Sequence, residues 1–220
     1  MRRGFLPSWL CLVALGGASC SGGEDPVPAA SSIDMPAGLL ADGDTRDLIL
    51  VAIDTLRVDR LPFYGADRAT GGDPETPFSL SWLAQNGTLF EHVWAPAGRT
   101  MPSFSSLWTG LEPAEHGAVN NLDQVFAPTF AMDLAKRGWS GHSAVSNFIL
   151  RQGTGLQRGF ADYAIHTKEE EPNGPAELLS RTAADIATGK RMFVWGHYMA
   201  PHQPYLPSPE HLGTYSSADG

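Results

Sequence analysis

The stretch "DLILVAID", residues 47–54, constrains this chain more than any other. Six consecutive apolar residues lie between two aspartates, a length suited to a strand and too short for a buried helix. A strand without polar alternation belongs inside a parallel sheet covered on both faces. Further segments extend the pattern. "TPFSLSWLAQNG" (76–87) has helical spacing at Phe78, Trp82 and Leu83 and closes on Asn-Gly. "TLFEHVWA" (88–95) reads as extended. "APTFAMDLAKRG" (127–138) predicts a helix, "WSGHSAVSN" (139–147) a strand, "PAELLSRTAADIATG" (175–189) a helix and "RMFVWGHY" (191–198) a strand. Strands alternating with helices predict an α/β class: a doubly wound, mainly parallel sheet with helices on both faces.

Such sheets gather ligands beyond the carboxyl ends of their strands. The polar residues at those ends are Asp54, Asn147 and the stretch from His197 to His202. Asp54 could hold a divalent cation through hard oxygen ligands, or it could pair with Arg57 or Arg60. The run "RTMPSFSSLW" predicts a helix with Thr100 as its N-cap and Pro102 in the first turn. A hydroxyl there would lie beside free backbone N–H groups and the positive end of the helix dipole, a setting suited to attack on a tetrahedral anion. His116 in "EHG" reads as fixing the loop that follows this helix.

The N-terminus reads as an export element. Two arginines, an apolar run and small residues precede Cys20, so residues 1–19 form an expected signal peptide. Gly17-Ala18-Ser19 before Cys20 resembles a bacterial lipoprotein cleavage box, with Cys20 the expected lipidation site of a cell-envelope protein, periplasmic or facing outward. Residues 20–45, rich in Gly, Pro, Ser and acids, read as a flexible tether. Without the signal, 13 basic residues face 24 acidic ones. That balance argues against a nucleic-acid partner, which would demand basic excess. The two cysteines both lie in the first twenty residues, so thiol chemistry is absent from the body of the chain.

Three ordered segments, "DLILVAIDTLRVDRLPFYG", "TMPSFSSLWTGLEPAEHGAVNN" and "FVWGHYMAPHQPYLP", resemble successive signatures of the sulfatase family, within the alkaline phosphatase-like superfamily of metal-dependent sulfate and phosphate ester hydrolases. The resemblance runs from residue 47 to about 212 and implies that residues 46–220 are the N-terminal part of a catalytic domain. It implies that Asp54 is the first metal-ligating Asp and that Thr100, which would share the cation, stands at the nucleophile position. It further implies that Asn121 holds a non-bridging oxygen, as in the related nucleotide pyrophosphatases, whose nucleophile is also Thr. His197 and His202 match paired histidines near the substrate oxygens, with His202 the expected acid for the leaving group and His197 a substrate contact. Asn147 matches a polar position facing the site. The implied cofactor is a divalent metal ion, calcium preferred, with zinc, manganese or magnesium as alternatives. The implied partner is an anionic ester: a small molecule, a glycan or a lipid.

Thr55 replaces the usual second Asp, and Phe104 stands where the sulfatase signature has its Arg. Thr cannot become formylglycine, so phosphorus suits this nucleophile better than sulfur. Residues 206–220 offer no later Asp-His or Asp-Asn pair to complete a metal site, which predicts that this piece is inactive alone. The competing expectation is a lipid-tethered binding protein, or a truncated fragment, on the same scaffold without catalysis.

Overall fold

In the computed structural model, the residues that can be described are 9–15, 47–68, 70–167, 170 and 173–205. Cys20, the tether and residues 206–220 lie outside them. Five strands form one parallel sheet: β1 (Trp9–Leu15), β2 (Leu48–Asp54), β3 (Ser140–Val145), β4 (Asp162–Ile165) and β5 (Met192–Tyr198), in the spatial order β1-β2-β5-β3-β4. β1 falls within the stretch read above as an export signal and pairs with β2. The helices are α1 (Leu80–Asn86), α2 (Thr100–Thr109), α3 (Pro113–His116), α4 (Phe130–Lys136) and α5 (Gly174–Thr188).

Side chains alternate across a strand, so register assigns each residue to a face. Leu50 opposes Trp195, Ala52 opposes His197, and Val145 opposes His197 from the other side. This face carries α2 and α4. Phe104 and Trp108 of α2 pack there against Trp195, Phe193 and Phe130, with Trp108 stacked on Phe130 at 4.4 Å between ring centres and edge-on to Trp195 at 4.7 Å. Truncating either α2 ring to Ala would cost about 3–5 kcal/mol. The opposite face holds Ser140, His142 and Ala144, over which α5 lies: Asp185 of α5 bonds both Ser140 and His142. Helices thus cover both faces, as the alternation of elements predicts.

Element ends follow local chemistry. Ser79 caps α1 by accepting the Trp82 N–H at 3.0 Å, so the helix begins four residues later than the periodicity suggests. Thr129 caps α4 in the same way. Residues 88–99 form no strand. Two short elements escaped the sequence reading: β4, of four residues, and α3, closed by a reciprocal capping box between Glu112 and Glu115. Gly159 is a glycine for a steric reason. At φ 94° its added Cβ would come within 2.4 Å of the α4 backbone at Ala131 and Met132.

Candidate functional site

β2, β5 and β3 are neighbours, and their carboxyl ends present one row of polar residues. Ala52, His197 and Val145 share a register level. Two residues further on, Asp54 and Asn147 stand on either side of β5. The Asn147 amide spans that gap, donating from Nδ2 to Asp54 Oδ2 at 3.1 Å, while its Oδ1 accepts the Ile149 N–H at 2.9 Å and caps the 3-10 turn Phe148–Leu150. His197 lies beneath, 1% exposed, with Nε2 3.5 Å from Asp54 Oδ2. That separation exceeds a well-formed hydrogen bond. Neither ring nitrogen of His197 has a hydrogen-bond partner among the described residues. A buried polar group left in that state costs about 1–3 kcal/mol.

Asp54 is buried, and burial pushes its carboxyl upward. The opposing influences prevail: the His197 ring, then the Asn147 amide, then the more distant His202 together hold it below the ordinary carboxylate range. The alternative partners for Asp54 fall away. Arg57 pairs with Asp59, through Nε at 2.9 Å and Nη2 at 2.6 Å, and no ion pair joins Arg60 to Asp54 among the described residues. The next residue, Thr55, has φ 57°, a left-handed conformation that a β-branched side chain adopts only under strain. Strain of this kind concentrates at functional positions, and the sequence gives no sign of it.

Thr100 belongs to a second group. It is the first residue of α2, and the N-cap is Arg99, which makes no side-chain cap bond. Thr100 as N-cap is therefore corrected by one position. The capping atom comes from afar: Asn121 Oδ1 accepts the Met101 N–H at 3.1 Å, and its neighbour Asn120 takes Arg99 Nη1 at 2.6 Å. The expected set of free amides also shrinks. Met101 N–H is used by Asn121, Pro102 has none, and Ser103 N–H goes to Arg99 O at 3.2 Å. Among the described residues only the Thr100 N–H is left without an acceptor in that turn.

The two groups meet through Phe104. Its ring stands edge-on to His197, with ring centres 5.2 Å apart, one turn beyond Thr100. Trp108, one turn later, packs on Phe193 and Trp195, so α2 runs opposite to β5 and its mouth lies toward the carboxyl end of that strand. The structure thus brings Asp54, Asn147 and His197 into contact, with His202 within electrostatic reach. Asn121 bonds Met101, the residue after Thr100, at the helix mouth, and no hydrogen bond joins Thr100 to Asp54 among the described residues. His202 donates from Nδ1 to Gln203 O at 2.6 Å.

For a divalent cation, the donors present fit in kind and fall short in number. Asp54 and Thr100 offer hard oxygens, whereas a calcium ion takes six to eight, and the described residues contain no group of three or more His, Cys, Asp or Glu able to hold a metal.

Polar residues that converge beyond the carboxyl ends of β2, β5 and β3 stand where doubly wound α/β sheets place their ligand sites. The profile of the Sulfatase family matches residues 46–220, and the chain belongs to that family, whose members typically use a divalent metal. Comparison with curated proteins finds no match. Among solved structures, the chain is similar to BT4656 in complex with its substrate D-glucosamine-2-N,6-O-disulfate, at 18% identity and TM-score 0.60, covering 77% of this chain and 37% of that one. It is also similar to the phosphonate monoester hydrolase of Agrobacterium radiobacter, at 20% identity and TM-score 0.51, covering 74% and 42% respectively. The chain therefore spans less than half the length of either, and these likenesses show the fold.

Proposed function

We propose that this chain carries the nucleophile-bearing part of a sulfatase-family ester hydrolase that acts on phosphate or sulfate esters through a covalent Thr100 intermediate. The observation that carries the reading is the joining of Thr100's helix mouth to the Asp54–Asn147–His197 row through the Phe104–His197 contact. In this mechanism the Thr100 oxygen, its proton lost to solvent, attacks phosphorus in line, the bond from phosphorus to the ester oxygen breaks, and the departing oxygen takes a proton from His202. Charge on the equatorial oxygens is met by the Thr100 N–H and by Nδ2 of Asn121, whose Oδ1 is already committed to Met101. His197 and Asn147 set the position and charge of Asp54 below the ester. Asp54 is the residue assigned to the family's divalent cation, calcium preferred because the donors are oxygens, and such an ion when bound supplies Lewis-acid polarisation. Water then releases the Thr ester by attack at phosphorus, which favours phosphate over sulfate for a nucleophile without an aldehyde hydrate.

The N-terminal residues support an exported, cell-envelope protein tethered by a lipid on Cys20, with an anionic ester of a small molecule, glycan or lipid as substrate. A second reading, an inactive binder on the same scaffold, is favoured by Phe104, which fills the core where the signature Arg would supply charge. Assay of a protein in which this segment is joined to the rest of its catalytic domain, with aryl phosphate, aryl phosphodiester and aryl sulfate and with calcium added, decides between them. The hydrolase reading expects phosphate turnover, a phosphoryl adduct on Thr100 by mass spectrometry, and a loss of at least about 1000-fold in Thr100→Ala. Turnover unchanged by that substitution overturns it, and orthovanadate binding without turnover supports the binder.

A further inference from the structure

His116 is a buried imidazole, 5% exposed, that the mechanism above does not use. Its Nδ1 accepts the N–H of Ala118 at 3.1 Å, and its Nε2 lies 3.0 Å from Ser106 Oγ on α2. A ring nitrogen that accepts from a backbone amide cannot carry a proton. The ring proton is therefore on Nε2, and Nε2–H donates to Ser106. One side chain thus ties the loop after α3 to the nucleophile helix by two hydrogen bonds that only the neutral ring with its proton on Nε2 can make.

The same loop has a second clamp. Asp123 Oδ2 accepts the N–H groups of Val119 (2.9 Å) and Asn120 (2.7 Å). Between the two clamps the chain delivers Asn120 to Arg99 and Asn121 to Met101, both at the first turn of α2. Where Asn121 Nδ2 can point depends on where that loop stands against the helix.

We infer that His116 is a positioning residue: through the Ala118 amide and Ser106 it sets the loop that aims Asn121 at the ester oxygen. The inference rests on the reading of Asn121 as an oxygen-binding group. Its geometric half can be tested without any turnover.

The test uses the full 220-residue chain labelled with nitrogen-15. Ring-nitrogen shifts of His116 are expected to show an unprotonated Nδ1 and a protonated Nε2. In His116→Ala, hydrogen exchange at the Met101 amide should quicken about tenfold or more, while the Phe193 and Trp195 amides of β5 keep their protection. His116→Asn, whose Oδ1 can replace Nδ1 as acceptor for Ala118, should restore most of the Met101 protection. In a catalytically active preparation, His116→Ala should lower kcat about tenfold with KM little changed, and His116→Asn should recover most of it. A protonated Nδ1 overturns the inference, as does a folded His116→Ala chain with undiminished protection at Met101. Should His116→Ala fail to fold, the ring shifts and His116→Asn decide the matter. A complete catalytic domain that turns over no ester would sink the hydrolase reading and leave the exchange result standing.

Discussion

Two buried histidines stand beside aspartates on opposite faces of one sheet, and their surroundings differ in kind. His142, on the α5 face, has Nε2 2.9 Å from Asp185 Oδ2; Ser140 bonds the same carboxylate, and Lys190 Nζ closes its other oxygen at 2.9 Å. A second carboxylate, Asp162, lies 3.9 Å from His142 Nδ1, which has no hydrogen bond among the described residues, and is itself held by Arg181 at 2.6 Å. The Ser140 hydroxyl, then Lys190, then His142 hold the Asp185 carboxyl far below the ordinary range. His197, on the α2 face, has its aspartate at 3.5 Å and, among the described residues, no hydrogen bond on either nitrogen. A cluster whose charged groups are nearly all matched adds to the stability of the fold. A buried ring without hydrogen bonds gives that stability up, which is what a site awaiting a ligand would show.

Paired substitutions sharpen or break this contrast. His197→Leu, close in volume and free of polar atoms, should lower turnover by about 100-fold in an active preparation. Its urea midpoint should equal or exceed that of the wild type, because no hydrogen bond is lost and an unpartnered buried polar group is removed. His142→Leu should do the reverse: turnover per folded molecule unchanged, and unfolding free energy lower by about 1.5–3 kcal/mol through loss of its bond to a carboxylate. Equal stability losses in the two variants would erase the distinction drawn here.

Acid gives the smallest expected effect. Asp54 and Asp185 both have carboxyls depressed in the folded state. Each therefore contributes stability that is fully present above the unfolded carboxylate value of about 3.9 and is lost as pH falls through the depressed folded value. Urea unfolding should show stability level down to about pH 4 and falling below it, with Asp185→Asn removing more of that fall than Asp54→Asn. A fall already complete above pH 5 would contradict the direction of both shifts.

The parts of the fold legible in the sequence are those with a strong apolar period or run. β2 announces itself as an unbroken apolar stretch, β5 by its run Met192–Trp195, and α2 by Pro102 near its start. β4 escaped because four residues, "DYAI", carry no period, and α3 because a single turn has none. Within the site, Asp54 and Asn147 were each readable as strand-end polar groups. Their hydrogen bond was not, since it joins residues 93 apart across an intervening strand. Thr100 was misplaced by one position because an arginine occupies the N-cap, where sequence logic expects a small polar residue, and the capping oxygen arrives from Asn121. The left-handed backbone at Thr55 runs against the preference of a β-branched residue, so no residue-type rule points to it.

The strand order has a consequence for the time at which this protein acquires its chemistry. β5 is the last of the described strands in chain order, yet it sits between β2 and β3. During synthesis, Asp54 and Asn147 emerge long before anything can hold them side by side, and the late arrival of residues 192–198 closes the sheet and the row together. Catalytic competence would then report that the centre of the sheet had closed, and a pause in synthesis before residue 192 would leave two half-sheets with exposed inner edges, open to partners other than each other.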